Sequence, residues 1–572
     1  MPTAVHQLLA DHLISFESHH SPFERAIREI PLPVIDEFQH NGTLVCPEFV
    51  ASNREIVGDT ADLTRDAFPA LSAQLGNFVL TAVRGQSTPS GKRIAVLFSG
   101  GPAAGGHNVV AGIRRILGPD NTLFGVKAGP KGLMNGDCFE IGMSDVDAIL
   151  NTGGFDFLGS DRTKIKTDDD FERVLKTVKD FHLDGIIVVG GDDSNTNAAF
   201  IGEYLAPHGC SVVGVPKTID GDLQVSDLVP ISFGFDTATK IYSEIVGNIL
   251  QDTPSSRKYW HFVKLMGRSA SHVALEVALQ THPAVTLISE EIADRSLSLG
   301  QVVDQIATVV VDRASRGINH GVVLIPEGVI EFIPEIKALI RSLNEFVASR
   351  QSELDGLSLA QRVALLQTGL SGELAAVLAM LPESVQTKLL MDRDSHGNLQ
   401  VSQIPSEELF IELTRRRVAE LNSSVKFAPL NHFFGYEGRC GAPTRFDAIY
   451  TFNLGLVAGA MTLRGVSGAM AGVSQIDSGG KGVAIPLTGL IATERRSGGD
   501  HMVIKKALVE LDSPAYKFFE SRREIWSKSD VFSSPGPRQL WGDLGNQLPM
   551  SVALNRGCRS LQFEIGTRFS AQ

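Results

Sequence analysis

Five apolar runs, Ile94–Ser99, Gly185–Gly191, Val212–Val215, Tyr259–Met266 and Gly321–Ile325, each give way at the C-terminal end to glycine, proline or polar residues. Continuous apolar runs of this length are strands covered on both faces. Such strands belong to parallel sheets, and the helical patterns between them, Asp168–Phe181 and Asp236–Leu250, have the spacing of βαβ units. The chain is therefore expected to be α/β. In open α/β sheets ligands bind beyond the strand C-termini, so the loops after these runs are where chemistry is sought.

The loop after Val212–Val215 is the richest. Pro216 cannot donate to a sheet ladder and ends the strand. Lys217, Thr218, Asp220 and Asp222 then surround Gly221. One cation, one hydroxyl and two carboxylates suit a phosphate and an alcohol proton, although a solvated turn has the same composition. After Gly185–Gly191 come Asp192, Asp193, Ser194, Asn195, Thr196 and Asn197. Asp192 suits Mg²⁺, which takes one or two carboxylates together with water and substrate phosphate. Ser194 or Asn195 is expected to cap a helix starting near Thr196; a capped βα unit without an ion reads the same way. Ile94–Ser99 runs into GGPAAGGHN, a turn whose backbone N–H groups can approach phosphate, or which packs tightly for its own sake. It is not a P-loop: the nearest approach to one, around Gly91, Lys92 and Arg93, precedes the strand.

Taken together, GGDD at Gly190–Asp193 followed by PKTIDGD at Pro216–Asp222 resembles the phosphofructokinases, and among them the pyrophosphate-dependent ones. In the ATP-using relatives the residue after GGD and the residue before TID are both glycine. Here they are Asp193 and Lys217. The resemblance implies that Asp193 crowds and repels a nucleotide phosphate while Lys217 offers a cation to pyrophosphate. It extends over roughly 93–541, with its motifs between Gly100 and Arg439. It implies that Gly100 and Gly101 touch pyrophosphate and that Arg162, in a loop with Lys164 and Lys166, binds the transferred phosphate. Thr218, Ile219, Asp220, Met266, Gly267 and Arg268 would hold the sugar phosphate, and Glu327 of the PEG turn would accept hydrogen bonds from the sugar hydroxyls. Tyr436 and Arg439 of GYEGR would contact the sugar's phosphate, with Arg445 close by. Lys258 and Tyr259 would reach the sugar phosphate of a neighbouring subunit.

By the same resemblance the reaction is phosphoryl transfer from pyrophosphate to the 1-hydroxyl of fructose 6-phosphate, reversibly. Asp220 is the general base, Asp222 assists it or the metal, Asp192 holds Mg²⁺, and Lys217 and Arg268 stabilise charge. The fold implied is two Rossmann-like parallel-sheet domains of phosphofructokinase type. Residues 1–90 form an N-terminal extension, helical in part around Leu8–Leu13. Residues 91–250 bind pyrophosphate and metal; 251–331 with 426–490 bind the sugar phosphate. Residues 332–425 are a helical insertion, and 491–572 an irregular tail packed across the domains. The expected assembly is a homodimer. An ATP-dependent enzyme and a non-catalytic regulatory subunit of a hetero-oligomer are the alternatives, and sedoheptulose 7-phosphate is a possible second acceptor.

Composition limits the remaining classes. A net charge of −13 argues against general nucleic-acid binding. The five cysteines are scattered, with no CxxC, which suits a reducing compartment. The first residues have no basic segment followed by a long apolar core. The uncharged stretch Ile449–Leu463 is expected to be a buried helix rather than a membrane span. A cytoplasmic enzyme is the expectation.

Overall fold

The computed structural model describes residues 27–58, 61–350, 353, 356–358, 361–362, 364–365, 369–389, 403–496, 499–535, 548–558, 563 and 565. The helix expected around Leu8–Leu13 lies outside them. Two sheets organise the chain. The larger has ten strands, in the order Glu48–Glu55, Phe78–Val83, Lys481–Pro486, Ala469–Ser474, Ser211–Pro216, Gly185–Gly190, Arg93–Ser99, Thr122–Val126 and Cys138–Glu140, with Ser160–Asp161 beside Arg93–Ser99. Its centre, from Ala469–Ser474 to Thr122–Val126, is parallel. The smaller sheet is wholly parallel, in the order Val285–Thr286, Gly321–Pro326, Trp260–Leu265 and Pro429–Phe434. The α/β class is as the apolar runs require, with the smaller sheet parallel throughout and the larger one parallel at its centre.

The larger sheet draws on more of the chain than the motifs suggest. Glu48–Glu55 and Phe78–Val83, from the stretch expected to be an extension, form its antiparallel edge. Ala469–Ser474 and Lys481–Pro486 were expected with the sugar-phosphate unit, yet they pair here, next to Ser211–Pro216. The reason is burial: Ala469–Ser474 is covered on both faces, and the central position beside Ser211–Pro216 provides that cover.

Local corrections have local causes. Helix Phe235–Ser256 runs on past Leu250, where the helical pattern was expected to end, despite Pro254. Proline removes the N–H that would reach the Leu250 carbonyl, and the Thr253 hydroxyl donates to that carbonyl instead at 2.8 Å. The glycine-rich stretch after Thr122–Val126 holds helix Gly129–Asn135, with Pro130 in its first turn and Gly136 closing it. The described part of the tail is not irregular. It carries the hairpin Ile491–Arg496 with Gly499–Ile504 and helix Pro514–Lys528, which is capped by the Ser513 hydroxyl.

Helix Arg445–Leu463 is the one helix among the described residues long and apolar enough to cross a membrane, and its apolar window is entirely buried. It packs on helix Gly106–Leu117. A buried polar cluster joins it to helix Phe235–Ser256: Asp447 accepts from the Thr237 hydroxyl at 2.6 Å and from the backbone N–H groups of Thr237 and Gly234. The residues expected to be a helical insertion form helices Pro334–Ser349, Gly372–Met380, Glu383–Leu389 and Ser406–Leu421. They pack a separate core against the smaller sheet.

Candidate active site

Chain order and sheet order diverge at Arg93–Ser99: the next strand, Thr122–Val126, pairs on one side and Gly185–Gly190 on the other. That is a topological switch point, where a crevice opens beyond the strand C-termini. The GGPAAGG turn and the start of helix Asp192–Leu205 meet there. The Ser194 hydroxyl donates to Ser99 Oγ at 2.8 Å, and Gly100 is pinned by its N–H to the Asp161 carbonyl and by Ser160 Oγ to its own carbonyl. Helix Asp192–Leu205 begins at Asp192, four residues before the expected start, with Gly191 as its N-cap. Ser194 and Asn195 are therefore inside the helix, Asn195 donating back to the Gly190 and Gly191 carbonyls.

Three cations converge on the Gly100–Gly101 turn. A side-chain carbon built on Gly101 would overlap Arg439 Nη2 and lie 3.6 Å from Arg162 Nη2; one on Gly100 would lie 3.5 Å from Lys217 Nζ. Arg439 was expected at the sugar's phosphate and Arg162 at pyrophosphate, and both stand at the same turn. Arg439 comes from the loop after Pro429–Phe434, in the smaller sheet, so the crevice is closed by both units. Tyr436 is exposed, with the Arg439 guanidinium 5.4 Å from its ring centre. Lys217 is buried, and burial first, then Arg439, pushes its ammonium down to about 8 against the pull of Asp220 and Asp192.

The Lys217–Asp222 loop is tightly determined. The Lys217 N–H reaches the Gly190 carbonyl at 3.0 Å, and Thr218 Oγ1 accepts from the Asp220 N–H at 3.0 Å. Gly221 has φ +74°, and a side chain there would run into the Phe235 ring at 2.8 Å. Glycine is thus what allows two carboxylates two residues apart to flank one turn. Asp222 is buried, and burial followed by the charge of Asp220 raises its carboxyl to about 7, with Lys506 opposing.

Asp192 is the first residue of its helix. Its Oδ2 is buried and has no hydrogen-bond partner. Among the described residues no cluster of three or more His, Cys, Asp or Glu could hold an ion. A cation here would take one or two carboxylates and draw its other ligands from water and phosphate, which is the habit of Mg²⁺. The residues present fit that ion. Asp193, the next residue, pairs with Lys164 at 3.1 Å.

On the other wall, Glu327 Oε2 accepts from the Gly267 N–H at 3.1 Å, tying the PEG turn to the MGR turn. Burial, more than any other influence, raises the Glu327 carboxyl above its usual range. Arg268 is exposed and faces Glu327 and Glu331. Ile219 and Met266 turn their side chains into the core, so what they offer a ligand is backbone. Lys258 and Tyr259 do not join this site. They stand just before Trp260–Leu265, at the opposite end of that strand from Gly267 and Arg268, with the Lys258 ammonium 4.7 Å from the Tyr259 ring centre. Arg445 opens helix Arg445–Leu463, where burial lowers its basicity.

One charged residue at the site escaped the sequence reading. Lys506 Nζ lies 3.7 Å from Asp192 Oδ2 and 3.6 Å from Asp222 Oδ2, and donates to Ser269 Oγ at 2.7 Å. Nothing in a Lys505–Lys506 pair after a hairpin separates it from a solvated surface doublet.

The phosphofructokinase family pattern matches residues 93–461. The pyrophosphate–fructose 6-phosphate 1-phosphotransferase of Treponema pallidum (strain Nichols) is 44% identical over 545 residues, covering 90% of this chain and 95% of its own. The enzyme of the same name from Entamoeba histolytica is 45% identical over 463 residues, covering 79% and 84%. The pyrophosphate–fructose 6-phosphate 1-phosphotransferase subunit beta 2 of Arabidopsis thaliana is 42% identical over 488 residues, covering 83% of each chain.

Proposed function

Since the chain belongs to the phosphofructokinase family, we propose that it transfers a phosphoryl group reversibly from pyrophosphate to the 1-hydroxyl of fructose 6-phosphate. The names of its relatives support the substrates. The observation that carries the reading is the convergence of Lys217, Arg439 and Arg162 on the Gly100–Gly101 turn, facing Asp192 and Asp220. A diphosphate carries negative charge at both ends, which the cations gathered at this turn can meet. The Asp193–Lys164 pair adds a fixed carboxylate beside the turn, which supports exclusion of a nucleotide phosphate.

In the proposed mechanism, Asp220 accepts the proton of the sugar 1-hydroxyl as its oxygen attacks phosphorus, and the bridging P–O bond of pyrophosphate breaks to release inorganic phosphate. The Thr218 hydroxyl, bonded to the Asp220 N–H, keeps that loop in register. Lys217 and Arg439 hold the donor, and Arg268 approaches from the sugar side. Asp192, with Asp222 within reach, would hold Mg²⁺, which neutralises phosphate charge and aligns the donor when bound. Glu327 accepts hydrogen bonds from the sugar hydroxyls. The exposed Lys258 and half-buried Tyr259, at the far end of their strand, support a homodimer in which they serve the partner's site.

The test is fructose 1,6-bisphosphate formation by the purified protein with Mg²⁺ and fructose 6-phosphate, pyrophosphate and ATP being run side by side. Turnover with pyrophosphate alone is expected. Turnover with ATP alone would overturn the donor assignment, and none with either would overturn the enzyme reading.

A further inference from the structure

The segment after the hairpin Ile491–Ile504 is a strap stitched to both units. The Ala507 N–H donates to the Asp222 carbonyl at 2.7 Å, on the larger-sheet side. His272 Nε2 donates to the Ala507 carbonyl at 2.9 Å, and Glu290 Oε1 accepts from the N–H groups of both Val509 and Ser271 at 3.0 Å, on the smaller-sheet side. These bonds fix the backbone just after Lys506, and the Ile504 N–H, which donates to Thr196 Oγ1 at 2.9 Å, fixes it just before, so that the Lys506 side chain runs into the crevice.

The geometry of the ammonium is unlike that of a structural ion pair. Charge-assisted N–H···O bonds close to about 2.7–2.9 Å. Lys506 makes its short contact to the neutral Ser269 hydroxyl and stands 3.6 and 3.7 Å from Asp222 and Asp192. Asp192 Oδ2 is therefore near a positive charge without receiving a hydrogen bond. Its charge is balanced while its coordination stays open. Two carboxylates and one cation, held just out of bonding distance, form a site whose cation is exchangeable.

We propose that Lys506 is a tethered counter-ion that occupies, in the ligand-free protein, the position a divalent cation takes between Asp192 and Asp222, and that it yields this position when the cation arrives with its phosphate. The inference rests on the reading of Asp192 as a metal ligand. The flexible four-carbon stem lets the ammonium withdraw while the strap stays bonded. Lys506 thus keeps the carboxylates from gathering a bare ion, and favours an ion that brings the negative charge of pyrophosphate with it. It is a positioning residue, acting through the two carboxylates.

Mn²⁺ binding, followed by electron paramagnetic resonance on the full-length protein without pyrophosphate or sugar phosphate, tests this. Lys506→Met should bind Mn²⁺ at least about tenfold more tightly than the parent, since a neighbouring positive charge has gone. Lys506→Arg should stay close to the parent, and Asp192→Asn should bind more weakly. Unchanged or weaker binding by Lys506→Met, with Asp192→Asn weakened, overturns the role of Lys506 and leaves the metal site standing. Unchanged binding by Asp192→Asn overturns the metal site and this inference with it. A second measurement needs no variant: acetylation of Lys506 by acetic anhydride, read by mass spectrometry in the parent protein, should quicken when Mn²⁺ is added. A rate that is unchanged or slower overturns the proposal even if Lys506→Met fails to fold.

Discussion

The guanidinium of Arg439 fills the space that a side chain at Gly101 would need. One residue ends a loop of the smaller sheet and the other begins the turn of the larger, so the two units meet with no atom to spare at the place where a diphosphate would sit. Gly101→Ala should displace Arg439 and lower kcat/KM for pyrophosphate by about 10- to 100-fold, the worth of one or two charge-assisted hydrogen bonds. Arg439→Ala should cost a similar amount, and the double variant little more than either, because the two changes remove the same contact. Steady-state kinetics on the three variants checks this; additive losses would separate the two residues.

Asp220→Asn should keep its affinity for both substrates and lose about 10²–10⁴ in kcat, the usual worth of a positioned base. Asparagine preserves the shape of the loop, which is held by the Thr218 hydroxyl and the Asp220 backbone. Full turnover in this variant would remove Asp220 from the proton's path.

Donor choice should change with two residues. Asp193→Gly combined with Lys217→Gly removes a carboxylate beside the turn and a cation above it, and frees Lys164 from its partner. Pyrophosphate use should fall by at least about 10²-fold and ATP use should rise. Donor kinetics equal to those of the parent would show that the pair does not set donor identity.

The ammonium of Lys217 is pushed down to about 8. It is charged below that pH and neutral above it, so kcat/KM for pyrophosphate should fall as pH rises through about 8. Lys217→Arg keeps its charge throughout this range and should move the falling limb to higher pH, whatever it does to the absolute rate. A limb at the same pH in both proteins would assign the titration to another group.

The parts of this site that were legible in the sequence are those where one short segment does several jobs. Asp192, Lys217, Thr218, Asp220 and Asp222 sit directly after apolar strands, and strand and loop can be read together. Lys506 was not legible, since what makes it part of the site is its position in space: the Asp222 carbonyl and Glu290 fix its neighbours, and neither relation leaves a local pattern. The same holds for Ala469–Ser474. Its run of small and apolar residues suits a strand, but its place beside Ser211–Pro216 is set by the burial available there. The helix outruns its apolar pattern, through Pro254, because a side-chain hydroxyl does the work of the missing N–H.

The pairing of Ser211–Pro216 with Ala469–Ser474 has a consequence for how the protein is made. About 250 residues separate the two strands, and a ribosome needs roughly 10–50 s to add that many. For that interval the nascent chain carries an apolar strand with one open edge, the kind of edge that recruits other chains. The loop bearing Lys217 and Asp220 hangs from that same strand, so the emerging chain acquires its chemistry only once Ala469–Ser474 has been added.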